Sequence, residues 1–395
     1  MIGRADLPGN GETGPRARAT VCRKIRVLLV DNSVATTGAY RSALAMAQAL
    51  QDRVETQFVL PRSPEIHSEL ASLGFKSHIL PMVEIGRSLM RLSAYVPMLV
   101  VNGVRLLRIL NRQAVDVLVA NDYYNLLPIM VRLMGWRGRI LTIVRLLPAS
   151  QQPLLNKAWI AAMRLTSDHV IAVSKAVARQ LPNNLRAIVL YFPVGRGLDS
   201  MPFVPPPAGD GATPVIFLYL ANYIHGKGQD HALQAFAALL KSCPSARLRF
   251  VGGDMGLAKN ALYRDGLVAE AARLGLESCV QFAGPTEDIV DEIQAADVVL
   301  NFSQSESFSH TCVEAGLLGR PVIATRCGGP EEIVDDGTTG LLLPVGNKEA
   351  MARAMVELAS HPERRQQMGL AAWTRTRECF GAAGFAATMS RLIAT

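Results

Sequence analysis

The strongest constraint on the fold is a break in texture. Residues 201–214 carry five prolines and no periodic pattern, while the chain on either side alternates short apolar runs with amphipathic ones. Proline fixes φ and removes a backbone donor, so such a stretch joins elements and does not form one. Before it, apolar runs of strand length occur at 25–31, 54–60, 76–80, 115–120, 139–145, 169–173 and 186–191, with helix-period segments between them. After it the series restarts at 215–220, 246–251, 279–282, 297–302, 322–325 and 340–343. This alternation predicts an α/β protein with parallel sheets wrapped by helices on both faces. Two series predict two Rossmann-like domains facing across a cleft, which suits a chain of 395 residues. The expected layout is a disordered leader at 1–20, a first domain at 21–200, a linker at 201–214 and a second domain at 215–375. A terminal helix at 376–395 is expected to cross back to the first domain. The helical region at 84–112 is expected to break near Pro97.

Charge is unevenly placed along the chain. Residues 1–200 hold 25 Lys and Arg against 12 Asp and Glu, and residues 201–395 hold 16 against 21. A basic first half favours an anionic partner, and an anionic membrane surface is the reading adopted, with the arginines of 84–112 toward the lipid. Nucleic acid is not expected, because basic and aromatic residues do not interleave in any recognition motif. The apolar stretch 92–104 is too short to span a bilayer. Six scattered cysteines, with no Cys-x-x-Cys and no close Cys/His cluster, argue against a disulfide framework or a zinc site. These features lead us to expect a cytoplasmic protein, peripheral at the inner membrane face.

Chemistry concentrates in residues 305–332. An apolar strand at 297–302 leads into a polar loop containing Glu306, and a helix follows, with Glu314 one turn inside it. Ligands of open α/β sheets bind at the carboxyl edge of the strands, and a helix start offers free N–H groups to a phosphate. Carboxylates accept hydrogen bonds from vicinal hydroxyls. Glu306 and Glu314 therefore read as a pair suited to sugar and ribose, although two surface acids would have the same spacing. Lys227, in His-Gly-Lys-Gly-Gln after the first strand of the second series, is placed to neutralise a diphosphate. Its surroundings lack the spacing of a triphosphate-binding P-loop. Asp122 and Arg145 end two strands of the first half, and Gly38 lies on the loop before its first helix; Arg145 reads equally as an anion ligand or as a surface arginine.

The run Glu-Ser-Phe-Ser from Glu306, then Glu-Ala-Gly from Glu314, Gly-Arg-Pro-Val-Ile-Ala-Thr and Gly-Gly-Pro-Glu-Glu resembles the retaining family 4 glycosyltransferases of the GT-B fold. The resemblance is dense over 297–343 and extends to the first half as fold pattern. It implies transfer of a sugar from a nucleotide diphosphate-sugar to a hydroxyl of a glycan or lipid-linked acceptor, in cell-surface polysaccharide or lipid-linked glycan synthesis. Glu306 and Lys227 would be catalytic. Donor contacts would fall to Glu314, Ser307, Phe308, Ser309, His310, Thr311, Asn222, Gly253, Phe282 and Gly284. Gly38, Asp122 and Arg145 would face donor and acceptor. No Asp-x-Asp occurs, so no metal and no cofactor are expected. The chain departs from the family pattern at Asn222, where an Arg is usual, and at Ser309, where a Gly is usual. Arg326 is the candidate replacement cation. A non-catalytic nucleotide-sugar-binding subunit, or an epimerase or hydrolase on the same fold, remains the alternative.

Overall fold

The computed structural model describes residues 23–33, 36–82, 89–195, 197–207 and 213–395, with backbone alone for 89–94. The expected leader, the start of the 84–112 region and the middle of the linker lie outside the described residues. Seven parallel strands form the first sheet: β1 Ile25–Val30, β2 Val54–Leu60, β3 Lys76–Ile79, β4 Val117–Ala120, β5 Arg139–Val144, β6 His169–Ala172 and β7 Ile188–Val189. Six form the second: β8 Ile216–Leu220, β9 Arg247–Val251, β10 Val280–Ala283, β11 Val298–Asn301, β12 Val322–Thr325 and β13 Gly340–Leu343. The strand orders are β3-β2-β1-β4-β5-β6-β7 and β10-β9-β8-β11-β12-β13. Both are doubly wound, and each reverses direction once, between β1 and β4 and between β8 and β11.

Helices fill the connections. The first half has α1 Gly38–Leu50, α2 Pro64–Ser72, α3 Leu89–Arg112, α4 Leu127–Leu133, α5 Pro153–Thr166 and α6 Lys175–Ala178. The second has α7 Gln229–Leu239, α8 Ala258–Arg273, α9 Ile289–Ala295, α10 His310–Leu317, α11 Pro330–Ile333, α12 Lys348–Ser360, α13 Pro362–Phe380 and α14 Ala382–Ala394. Four of their starts are set by side-chain caps. Thr37 accepts from the Tyr40 N–H, Ser174 from Val177, Ser309 from Cys312 and Asn347 from Ala350. Each such cap contributes about 1 kcal/mol.

The expected break at Pro97 does not occur, because α3 runs through it without interruption. Pro97 sits on the exposed side of the helix, where water can satisfy the carbonyl its ring leaves unpaired. Further along, Leu106 and Leu110 are fully buried against the sheet and hold the helix in place.

One apolar cluster is continuous across both halves. It joins the β1, β4 and β5 side chains to Phe308, Phe380, Phe385 and Met389. Tyr191 stacks on Phe308 at 5.8 Å and meets Phe380 edge-on at 4.9 Å. Phe192 meets Phe385 of α14 at 4.9 Å. The terminal helix thus lies on the first half, against α1. Arg53 donates to the Ala386 carbonyl at 3.3 Å, and Asp199 accepts from the Ala382 N–H at 3.1 Å. Aromatic pairs of this kind add about 0.5–1.5 kcal/mol beyond their buried area.

Candidate active site

The two reversals of strand order open crevices at the carboxyl ends of the sheets. A cavity of about 320 Å³ lies there. Its walls are Asn222, Lys227, Ser303, Glu306 and the first turn of α10 from the second half, with Thr37 and Gly38 from the first. A larger concavity of about 720 Å³, at Gly337 and the junction of α12 and α13, touches neither reversal. We therefore build the site on the smaller one.

Lys227 is held at the wall by its own backbone. Tyr219 of β8 is buried, donates its hydroxyl to the Lys227 carbonyl and accepts from the Phe302 N–H at 2.8 Å. The loop thereby crosses from β8 to the end of β11. Gly228 permits the crossing. Its φ is +84°, and a Cβ there would come 2.1 Å from the Phe302 carbonyl oxygen. The Lys227 ammonium donates to Glu306 Oε1 at 2.6 Å, and Ser303 Oγ donates to the same oxygen at 3.0 Å. Glu306 is pinned in turn: its N–H donates to Cys327 O at 3.0 Å, and its carbonyl accepts from Gly329 at 2.8 Å. The pair remains reachable, with side chains 30% and 13% exposed.

The start of α10 is tied to both strands at the reversal. Asn301 at the end of β11 donates to Ser309 Oγ at 2.8 Å, and Thr311 donates its hydroxyl to Leu220 O of β8 at 3.1 Å. The first-turn N–H groups of a helix have no intrahelical acceptor, and here that turn forms cavity wall. Burial, then the charges of Arg145, Arg41 and Lys227, push the His310 imidazole down to about 4. It is neutral near pH 7, stands edge-on to Phe308 at 5.9 Å and keeps one donor and one acceptor nitrogen. Burial also pushes the Cys312 thiol up to about 12 and Cys327 to about 11, so neither is a thiolate near neutral pH.

The sequence-derived residues divide. Lys227, Glu306, Phe308, Ser309, His310, Thr311, Asn222 and Gly38 line one cavity. Ser307, Gly253, Phe282, Gly284 and Glu314 lie outside its wall. Glu314 is half-buried on α10, beyond Thr311, where the wall ends. Asn222 accepts from the Gly253 N–H at 3.1 Å through its side chain, and from Gln229 at 3.0 Å through its backbone. It fixes the β8 and β9 loops to each other. Phe282 stacks on Phe250 at 5.1 Å. Arg326 pairs with Asp336 at 2.6 Å and is not on the cavity wall, so it does not replace the cation absent at Asn222.

Arg145 is not a surface residue. It is 7% exposed, donates to Asn121 Oδ1 at 2.7 Å and to Ser42 Oγ at 2.8 Å, and lies 4.5 Å from the Phe192 ring centroid. Burial lowers its pKa to about 10 against the raising fields of Asp31 and Asp122. Asp122 accepts from the N–H groups of Tyr123 at 2.8 Å and Arg145 at 3.3 Å, yet burial pushes it up to about 7. Neither side chain reaches the cavity wall.

Glu332 of α11 was missed by sequence reasoning. Its carboxylate accepts from the N–H groups of Lys175 and Ala176 at 2.9 and 2.7 Å and from the Tyr191 hydroxyl at 2.8 Å. It closes the second half onto the α6 start of the first. The Glu-Glu pair in the sequence was the available signal, but nothing local distinguishes the acid that crosses the interface from Glu331, which turns back to the Gly328 N–H at 3.0 Å. Among the described residues, no group of three or more His, Cys, Asp or Glu is placed to hold a metal ion. No described helix is long and apolar enough to cross a membrane.

Two facing doubly wound domains, with a cation and a helix start converging where both strand orders reverse, are the arrangement of the GT-B fold. The family model described as Glycosyltransferase Family 4 matches residues 36–188, and the one described as Glycosyl transferases group 1 matches residues 206–375. The chain belongs to this family. Curated relatives include the D-inositol 3-phosphate glycosyltransferases of Streptomyces griseus, 41% identical over 154 residues, and Corynebacterium jeikeium, 39% over 147. These matches take in 37% and 36% of this chain, and span 32% and 35% of the relatives' own length. In three dimensions the chain is similar to Anabaena HepE, solved with UDP and glucose, at a TM-score of 0.79 and 19% identity, over 94% of this chain and all of that one. Sucrose-phosphate synthase from Thermosynechococcus elongatus gives 0.75 at 19% identity, over 93% and 98%.

Proposed function

We propose that this glycosyltransferase moves a hexosyl unit from a nucleotide diphosphate-sugar to a hydroxyl acceptor with retention at the anomeric carbon. The observation that carries the reading is the Lys227–Glu306 pair, 2.6 Å apart beside the α10 start in one cavity. An incoming diphosphate competes with Glu306 for the Lys227 ammonium. The α10 N–H groups take the remaining phosphate charge. Glu306, released from the ion pair, accepts from the sugar hydroxyls, and Glu314 accepts from the ribose diol. The bond from the anomeric carbon to phosphate oxygen breaks as the acceptor oxygen bonds on the same face, and the departing phosphate oxygen receives the acceptor proton. This arrangement needs no protein base and no metal or cofactor.

HepE was solved with UDP and with UDP-glucose, which makes uridine diphosphate sugars the first donors to test. For the acceptor we favour a glycan or lipid-linked alcohol of cell-surface polysaccharide or lipid-linked glycan synthesis, met at the cytoplasmic membrane face. A specific observation supports a second reading. Lys227 is the one Lys or Arg among the described residues lining the cavity, and Asn222 is committed to the Gly253 loop. A single phosphate cation fits a subunit that binds nucleotide sugar without turning it over. The deciding experiment pairs calorimetry with turnover. Glu314→Ala should abolish UDP-sugar binding, and unchanged affinity would remove Glu314 from the site. Wild-type binding without transfer to any hydroxyl acceptor would favour the second reading.

A further inference from the structure

The loop that carries Glu306 is held from two sides, and both lead to the first half. On one side, residue 328 runs beside Glu306 as an isolated parallel bridge. The Glu306 N–H donates to Cys327 O at 3.0 Å, and its carbonyl accepts from the Gly329 N–H at 2.8 Å. Helix α11 starts at the next residue, Pro330, and Glu332 lies in its single turn. The Glu332 carboxylate crosses to the first half. Its Oε2 accepts from the Lys175 N–H at 2.9 Å and the Tyr191 hydroxyl at 2.8 Å, and its Oε1 from the Ala176 N–H at 2.7 Å. Gly328 is caught between the halves. Its φ is +117°, and a Cβ there would stand 2.5 Å from Glu306 O and 3.5 Å from Ala176 Cβ. On the other side, Phe308 follows Glu306 by two residues and stacks on the Tyr191 ring at 5.8 Å. Tyr191 therefore meets the Glu306 loop with its ring and Glu332 with its hydroxyl.

Three donors on one carboxylate make charge-assisted bonds, the strong kind. The link from Glu332 back to Gly329 is short and stiff, because Pro330 fixes its own φ. A shift of Glu332 is therefore passed to the backbone bonds that hold Glu306. Other bonds between the halves lack this connection. Arg53, between α1 and β2, donates to Ala386 O and Ser390 Oγ of α14, both at 3.3 Å, and touches neither the Glu306 loop nor residues 327–333. We propose that Glu332 is a positioning residue: by fastening residues 327–332 to α6 and Tyr191, it sets where the Glu306 carboxylate stands against the donor sugar. This role rests on Glu306 being a sugar ligand, as proposed for the transfer. It also separates the two parts of the donor. Lys227 lies on the loop after β8, outside the fastened segment, so the diphosphate end of the site should not depend on Glu332.

The test compares Glu332→Ala, Glu332→Gln and Arg53→Ala in the full chain. Hydrogen exchange is followed at the Glu306 and Gly329 amides without ligand, and calorimetry measures UDP and UDP-glucose. Glu332→Ala should speed exchange at both amides about tenfold or more. It should weaken UDP-glucose about tenfold, the worth of a sugar hydrogen bond or two, and leave UDP within about twofold. Glu332→Gln keeps an acceptor oxygen without the charge and should fall between Glu332→Ala and wild type. Arg53→Ala should leave exchange at both amides and both affinities as in wild type. A purely structural role would lower the melting temperature of Glu332→Ala while exchange at these amides and the UDP-glucose to UDP affinity ratio stayed at wild type, and that result would overturn the proposal. So would parallel loss of UDP and UDP-glucose affinity, or an Arg53→Ala variant that behaves like Glu332→Ala. A wild-type chain that binds neither nucleotide would count against the proposed donor, and exchange at Glu306 and Gly329 would still decide the coupling.

Discussion

Each half carries a cation near its reversal of strand order, Lys227 on the cavity wall and Arg145 sealed behind it, and the two are used in opposite ways. Lys227 on the second half is partly exposed, sits on a glycine-flanked loop and has a single carboxylate partner. Arg145 on the first half is sealed, with fixed acceptors in Asn121 and Ser42, an aromatic face beneath it and the fields of Asp31 and Asp122 around it. A compact ammonium on a flexible stem can change partners when a ligand arrives. A planar guanidinium held by its fork over a ring cannot do so without unmaking its surroundings. The comparison teaches that one cation belongs to the chemistry and the other to the architecture that positions it.

The largest effect should come from breaking the sealed side. Arg145→Met leaves Asn121 and Ser42 without their donor and removes the positive charge facing Asp31 and Asp122. Loss of one partner from a buried charged network costs about 3–5 kcal/mol, which chemical denaturation would read directly. Arg145→Lys should recover little of it, because an ammonium does not span both acceptors. A variant within 1 kcal/mol of wild type, by about the scatter of surface substitutions, would show that Arg145 is dispensable to the wall.

Lys227→Ala should behave in the reverse way. Removing one electrostatic stabiliser of a developing charge lowers turnover about 10²–10³-fold. Its ion pair with Glu306 is partly solvated, so stability should move by less than about 1 kcal/mol. Steady-state kinetics beside a denaturation curve separates the two. A loss of stability with turnover intact would exchange the roles assigned to the two cations.

Much of this was legible in the sequence, and the boundary has a physical cause. The strands were readable because both faces of a parallel sheet are buried, leaving short apolar runs such as Val-Val-Leu-Asn in β11. Lys227 and Glu306 were readable because strand-end loops carry ligands. Their pairing was not, since it joins residues 79 apart in the chain. The burial of Arg145 was hidden for the same reason: it depends on Ser42, 103 residues away, and on a ring that follows β7. Glu332 was hidden most completely, because its partners lie 141–157 residues off and belong to the other half. The continuity of α3 through Pro97 was also not local. It rests on buried leucines well beyond the proline.

The smallest effect joins the two walls through their titrating groups. Burial raises Asp122 from the usual carboxylate range to about 7, so between about 4 and 7 the folded chain binds more protons than the unfolded one. Stability from this group therefore falls as pH rises through that window. Burial and three nearby cations lower His310 from 6.5 to about 4, so across that interval the unfolded chain binds more protons and stability rises with pH. The two slopes oppose each other up to about pH 6.5, and above it only the Asp122 decline remains. Asp122→Asn should leave a net rise between about pH 4 and 6.5, and His310→Gln a net fall, both measured as denaturation midpoints. Arg145 lowers both groups at once, so Arg145→Met should raise both, extending the Asp122 decline to higher pH and narrowing the His310 rise from its low-pH end. If the two single variants bent the curve the same way, one of the two buried environments would be misassigned, and with it the contrast between the walls.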